Sequence, residues 1–187
     1  IDPGEFDNGI SDDIFAKIVA CIRIAVPYTG MIVSTRESKK VRERVLHLGI
    51  SQISGGSRTS VGGYQEEERH EETAQFETED RRTLDEVVGW LCSMGYIPSF
   101  CTACYREGRT GDRFMRLAKT GQIGNVCQAN ALMTFKEYLE DYASDATRRA
   151  GEKMIAEQLE TIPNETVKTK AKDYIERLHL GERDFRF

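Results

Sequence analysis

The sequence predicts an α/β chain that becomes mainly helical in its second half. Three observations predict it. Residues 11–59 alternate helical and strand-like patterns in the order helix–strand–helix–strand. Both strand segments are short, and the first is apolar without the polar alternation of a half-exposed strand. Past Cys127, apolar residues recur at helical spacing.

Bulk composition narrows the function. At 187 residues, 39% hydrophobic and 30% charged, the chain can bury a sizeable core and has a globular composition. A net charge of −5 offers no basic excess for phosphates, so neither nucleic acid nor an anionic membrane is an expected partner. No apolar run approaches the roughly 20 residues of a membrane-spanning helix. Five cysteines, three of them clustered, do not form a secreted disulfide framework. A cytoplasmic location is expected, or an organellar one in a eukaryote. Residues 1–8, opening Ile1-Asp2-Pro3-Gly4-Glu5-Phe6, read as a vector-derived tail and linker.

The elements follow in order. Ser11 is placed to cap a helix, with Asp12 and Asp13 where the helix dipole favours anions. Ile14, Phe15, Ile18, Val19 and Ile22 mark its apolar positions, and Pro27 stops it. Cys21 lies within that pattern as a packing residue. Gly30 to Thr35 then forms a strand expected to be buried on both faces. Ser38 opens a second helix with Val41, Val45, Leu46 and Leu48 inside and Gly49 as terminator. Ile50 to Ser54 is the second strand. Short connections make the two strands parallel, with a right-handed crossover. This is a piece of an α/β barrel or of a doubly wound sheet.

The acidic stretch from Glu66 to Asp80 reads as a solvated surface loop. Thr83 and Glu86 form a capping box ahead of Leu84, Val87, Val88 and Leu91, with Cys92 packing beside them. Thr134 and Glu137 form another such box. Ala150, Met154, Ile155 and Leu159 stripe one late helix; Val167, Ala171, Tyr174, Ile175 and Leu178 stripe the last. His47, His70 and His179 are scattered and carry no site.

The strongest chemical signal is Cys101 and Cys104, two residues apart, answered by Cys127. A tight turn brings the first two thiolates to one point, and the third arrives from another loop. Three soft ligands suit an iron–sulfur cluster with one iron left open, or zinc with a fourth ligand from elsewhere. Between them run Arg106, Arg109, Arg113, Arg116 and Lys119, which either offset thiolate charge or simply face solvent. Phe114, Met115 and Leu117 place a short helix there. Two further clusters follow the strands: Ser34, Thr35 and Arg36, then Ser54, Ser57 and Arg58. Hydroxyls with one guanidinium make a carboxylate or phosphate clamp, unless each arginine pairs with a neighbouring helix.

The run from Ala25 to Glu37, the run from Ile53 to Thr59, and the Cys-x2-Cys-x22-Cys set together resemble the C-terminal part of the radical S-adenosylmethionine tyrosine lyases that mature [FeFe]-hydrogenase. The strand motifs are also similar to the thiazole-pathway 2-iminoacetate synthases and to biotin-synthase-like enzymes; the cysteine set separates the hydrogenase branch. The resemblance implies the end of a radical SAM (β/α)8 barrel over residues 9–64. A mainly helical, auxiliary-cluster domain would fill residues 65–187. It implies that Cys101, Cys104 and Cys127 hold an auxiliary [4Fe-4S] cluster with an additional iron. Ser34, Thr35, Arg36, Ser54, Ser57 and Arg58 would line the substrate site. The family's lyases cleave L-tyrosine, using a second [4Fe-4S] cluster that binds S-adenosylmethionine, and supply CO and cyanide to hydrogenase maturation partner proteins. The present chain has no Cys-x3-Cys-x2-Cys for that second cluster. It is therefore expected to contain no catalytic residue of the lyase, to be inactive alone, and to self-associate through its exposed strands.

Overall fold

The computed structural model describes residues 9–65 and 76–187. The expected tail at 1–8 and the acidic run from Glu66 to Glu72, with His70, lie outside the described residues. The chain divides into two compact units, Ile1–Leu84 and Asp85–Phe187.

In the first unit, α1 (Asp12–Ala25) begins where expected. The Ser11 hydroxyl accepts the Ile14 amide at 3.4 Å, and Asp12 and Asp13 occupy the first turn. Strand β1 (Ile32–Val33) pairs in parallel with β2 (Gln52–Ile53), in the register Ile32 to Gln52 and Val33 to Ile53. Between them α2 (Lys39–His47) is capped by Ser38, whose hydroxyl accepts the Val41 amide at 3.3 Å. Val41, Val45 and Leu46 are buried as expected, and α2 packs against α1. Gly49 follows at φ +103°, where an added Cβ would meet the Arg23 side chain at 2.9 Å. That arginine ties α1 to the turn, donating to the Gly49 carbonyl through Nε (3.0 Å) and Nη2 (2.7 Å).

One expectation fails here. The first strand was expected to be buried on both faces, but Val33 is buried while Ile32 is 65% exposed. Side chains alternate across a strand, so with two strands and helices against one face, every second residue is left uncovered.

The second unit is helical: α3 (Leu84–Ser93), whose first residue closes the first unit, α4 (Ala103–Arg106), α5 (Gly111–Lys119), α6 (Gly124–Asp141), α7 (Asp145–Glu160) and α8 (Glu165–His179). Its centre is α6, against which α7 and α8 both pack. Leu132, Phe135 and Leu139 of α6, Ile155 of α7 and Ala171 of α8 share one core with Val88 and Cys92 of α3. At about 25 cal/mol per Å² of apolar surface, each large residue so buried contributes roughly 1.5–3 kcal/mol. Gly151 lets α7 come close: a Cβ there would lie 2.6 Å from Leu139 Cδ1 and 2.8 Å from Phe135 Cζ. None of the α5 residues is buried.

Four local readings are corrected. Cys21 is exposed rather than packed, on the side of α1 away from the buried Ala16 and Val19. Leu84 is exposed rather than part of the α3 stripe, because the core side begins at Val87. Ala150 is exposed, and Gly151 takes the buried place beside it. Thr134 and Glu137 do not start a helix. They lie inside α6, where the Thr134 hydroxyl donates back to the carbonyls of Asn130 (3.1 Å) and Ala131 (3.2 Å). Buried apolar residues continue on both sides of Thr134, so core contact carries the helix through the capping pattern.

Candidate metal centre

The cysteine loop hangs between α3 and α6. Phe100 anchors it, its ring stacked on Tyr138 at 4.9 Å and its amide donating to the Thr134 hydroxyl at 3.3 Å. Cys101 follows, its amide held by the Ser99 hydroxyl (3.3 Å), and its sulfur accepts the Ala103 amide at 3.5 Å. Cys104 lies in α4, and its carbonyl accepts the Arg109 amide at 2.7 Å, closing the turn. Cys127 stands in the first turn of α6. All three are free thiols, the first two half-buried and Cys127 exposed.

Burial around the sulfur, then the charges of Cys104 and Cys101, push the Cys127 thiol up, and Arg109 acts in the opposite direction. Among the described residues, no three His, Cys, Asp or Glu side chains converge closely enough to hold a single metal ion. A tetrahedral zinc draws its sulfurs onto one ion. A cubane binds each cysteine at a separate iron.

A second feature was not legible in the sequence. The segment from Asp184 to Phe187 folds back over the loop. Arg106 grips Asp184 with both nitrogens, and Arg186 Nε donates to Glu107 at 2.8 Å. The Phe187 amide donates to Asn130 Oδ1 at 2.9 Å. Arg109 Nη2 donates to the Phe187 main-chain oxygen at 2.8 Å. The Arg109 Nε is buried with no hydrogen-bond partner, which costs about 1–3 kcal/mol unless an acceptor arrives. Three soft thiols and an orphaned cationic N–H fit a sulfur-rich anionic group. A cavity of about 110 Å³ opens beside Cys101, lined also by Arg106, Glu137 and Asp184.

The strand-end residues of the first unit are arranged differently from a simple clamp. Thr35 is buried, and its carbonyl accepts the Asp80 amide at 3.0 Å. Ser34 turns its hydroxyl back to accept the Arg36 amide at 3.2 Å. The Arg36 guanidinium lies over the Phe76 ring at 4.2 Å, and Arg58 Nη1 donates to the Gly63 carbonyl at 2.7 Å. Ser54 and Ser57 are half-buried in the β2 loop. What joins the two loops is a pair the sequence reading missed. Arg42 of α2 reaches both Asp80 and the Ser54 carbonyl, with 0% of its side chain exposed and 2% of the Asp80 side chain. Burial opposes the Asp80 charge, but the hydrogen bond from Arg82 and the charges of Arg42 and Arg82 outweigh it and bring the carboxyl down to about 2. The available signal was Arg42 itself, a charge on the face carrying Val41, Val45 and Leu46.

The comparisons with known proteins agree with this architecture. Residues 2–97 match the family described as Biotin and Thiamin Synthesis associated domain. The chain belongs to that family. Within it, the 2-iminoacetate synthases of Escherichia coli (strain K12) and Salmonella typhimurium are 35% and 34% identical over 82 residues, 44% of this chain and 21% of theirs. The crystal structure of HydG, a maturase of the [FeFe]-hydrogenase, is 56% identical with a TM-score of 0.92, covering 100% of this chain and 40% of its own. The X-ray structure of the FeFe-hydrogenase maturase HydG from Carboxydothermus hydrogenoformans is 35% identical with a TM-score of 0.66, covering 91% of this chain and 35% of its own. This Biotin and Thiamin Synthesis associated domain protein thus spans about a fifth of the curated relatives it matches and well under half of the solved chains. The expected resemblance to the hydrogenase maturase extends along the whole chain, cysteine loop included.

Proposed function

We propose that this chain is the C-terminal part of a radical SAM tyrosine lyase of the hydrogenase-maturation type. In this reading Cys101, Cys104 and Cys127 hold an auxiliary [4Fe-4S] cluster with an additional iron. When bound, that centre supplies an open iron at which CO and cyanide derived from L-tyrosine are captured. The single observation that carries the reading is coverage. Likeness to HydG extends over the whole chain, at 56% identity, whereas likeness to the 2-iminoacetate synthases extends over 82 residues. Cys101, Cys104 and Cys127 all lie beyond residue 97, the last residue of the family match.

Ser34, Arg36, Ser54, Ser57 and Arg58 form the substrate-facing rim, with Thr35 buried behind them and Arg42 and Asp80 holding their loops. The SAM-binding cluster and the radical step belong to the rest of such an enzyme, and this chain alone turns over neither tyrosine nor S-adenosylmethionine. Ile14, Ile18 and Ile22 recur every fourth residue along α1 and stay 42–48% exposed, and Ile32 of β1 is open as well. That apolar face supports docking of the first unit against further barrel segments, or against a second copy in their absence. The protein works in the cytoplasm or an organelle, beside hydrogenase maturation partners.

Anaerobic loading with iron and sulfide tests the cysteine assignment. The expected result is the absorbance and EPR spectrum of a cubane, lost together with iron in Cys101→Ala, Cys104→Ala and Cys127→Ala. A colourless protein that takes up one zinc per chain refutes the cluster. A cubane that never retains an additional iron refutes the hydrogenase branch.

A further inference from the structure

Arg109 is fixed at two points. Its amide is tied to the Cys104 carbonyl at 2.7 Å, so its backbone cannot move without the Cys-x2-Cys turn. One terminal nitrogen, Nη2, is held by the Phe187 main-chain oxygen at 2.8 Å. The third nitrogen, Nε, is shielded from solvent and has no acceptor. The neighbouring arginines are used otherwise: Arg106 is paired with Asp184, and Arg113 Nη1 donates to the Glu107 carbonyl at 3.3 Å. Arg109 therefore links the Cys104 turn to the returning Phe187, with its buried Nε–H unused.

We propose that Arg109 is a positioning residue for the cysteine centre, donating its Nε–H to a sulfur of the bound cluster, either a cysteine thiolate or an inorganic sulfide. The proposal rests on the reading of Cys101, Cys104 and Cys127 as cluster ligands. Three thiolates around a cubane leave a net negative charge, and one-electron reduction deepens it. A fixed guanidinium and a hydrogen bond to sulfur both favour the reduced state and so raise the reduction potential. The fold-back of residues 184–187 then has a role. It holds the guanidinium by Nη2 while Nε stays buried.

The test uses the full 187-residue chain. Parent, Arg109→Gln and Arg109→Lys are loaded anaerobically with iron and sulfide and titrated with dithionite as the one-electron donor, with visible absorbance and EPR as readouts. Arg109→Gln is expected to reduce at a lower potential than the parent at equal iron content. Arg109→Lys, which keeps the charge and loses the Nε donor, is expected in between. A merely structural role would lower the thermal midpoint and leave the potential alone. Parent potential in both loaded variants overturns the proposal and leaves the cluster assignment standing. Should Arg109→Gln fail to fold or load, Arg109→Lys decides by the same criterion. A parent chain that takes up no cluster overturns the ligand reading, and this proposal with it.

Discussion

Replacing Asp80 by asparagine removes one charge from the most buried ion pair of the first unit and leaves the shape nearly unchanged. Its carboxyl is lowered from 3.8 to about 2 in the folded protein. Nearly two units at 1.36 kcal/mol each amount to roughly 2–3 kcal/mol of stability at neutral pH. The sign follows from the direction of the shift. A depressed folded value means the contribution is complete above the unfolded pKa and disappears as pH falls through the folded one. By linkage, about half remains near pH 3. Asp80→Ala should cost more, about 3–5 kcal/mol, because it also strands the Arg42 guanidinium in the interior. The assay is urea unfolding followed by circular dichroism between pH 7 and pH 3, with amide exchange across α2 as the local readout. The expected result is an Asp80→Asn deficit that shrinks steadily with falling pH. A deficit within 0.5 kcal/mol at pH 7 (about the scatter of an unremarkable surface substitution), or one unchanged at pH 3, would refute the reasoning.

Two further predictions concern the helical unit. Gly151→Ala puts a Cβ 2.6 Å from Leu139 and should destabilise by about 1–3 kcal/mol, read as a lower thermal midpoint; an unchanged midpoint means the α6–α7 seam relaxes freely. Cys92 is buried in the core and its thiol is pushed up to about 11 by burial, so it should resist alkylation at pH 8 until the protein is unfolded, while Cys101, Cys104 and Cys127 react in the folded state. Mass-mapped labelling checks this, and early modification of Cys92 would contradict the packing.

Much of the helical frame was legible because its signals are local. Ser11 and Ser38 act as caps through their own hydroxyls and amides three residues on. Gly49 stops α2 because its backbone must take a positive φ. The stripe Val167, Ala171, Leu178 shows as period alone. Where a pattern can serve two ends, locality misleads. Thr134 to Glu137 has the letters of a capping box, yet Lys136 is buried, paired with Glu140 at 2.6 Å and with Glu152 of α7. A partner on another helix, sixteen residues away, decides that position. Asp80, at the end of the acidic run expected to be solvated, is buried for the same reason. Asp80 belongs with Arg42 and Thr35, so the segment up to Leu84 folds with the first unit.

By itself the sequence determined the alternation of helix and strand, the parallel pairing, the three spaced thiols and the family resemblance, because each lies in spacing along one chain. Only the tertiary structure decided that Arg42 and Asp80 join the two strand-end loops, and that Asp184 to Phe187 return over the cysteine loop. It alone showed that Arg109 keeps one buried N–H without an acceptor. Those are contacts between residues 38 and 78 positions apart. Such pairings carry no periodic signature and exist only once the core has brought the segments together.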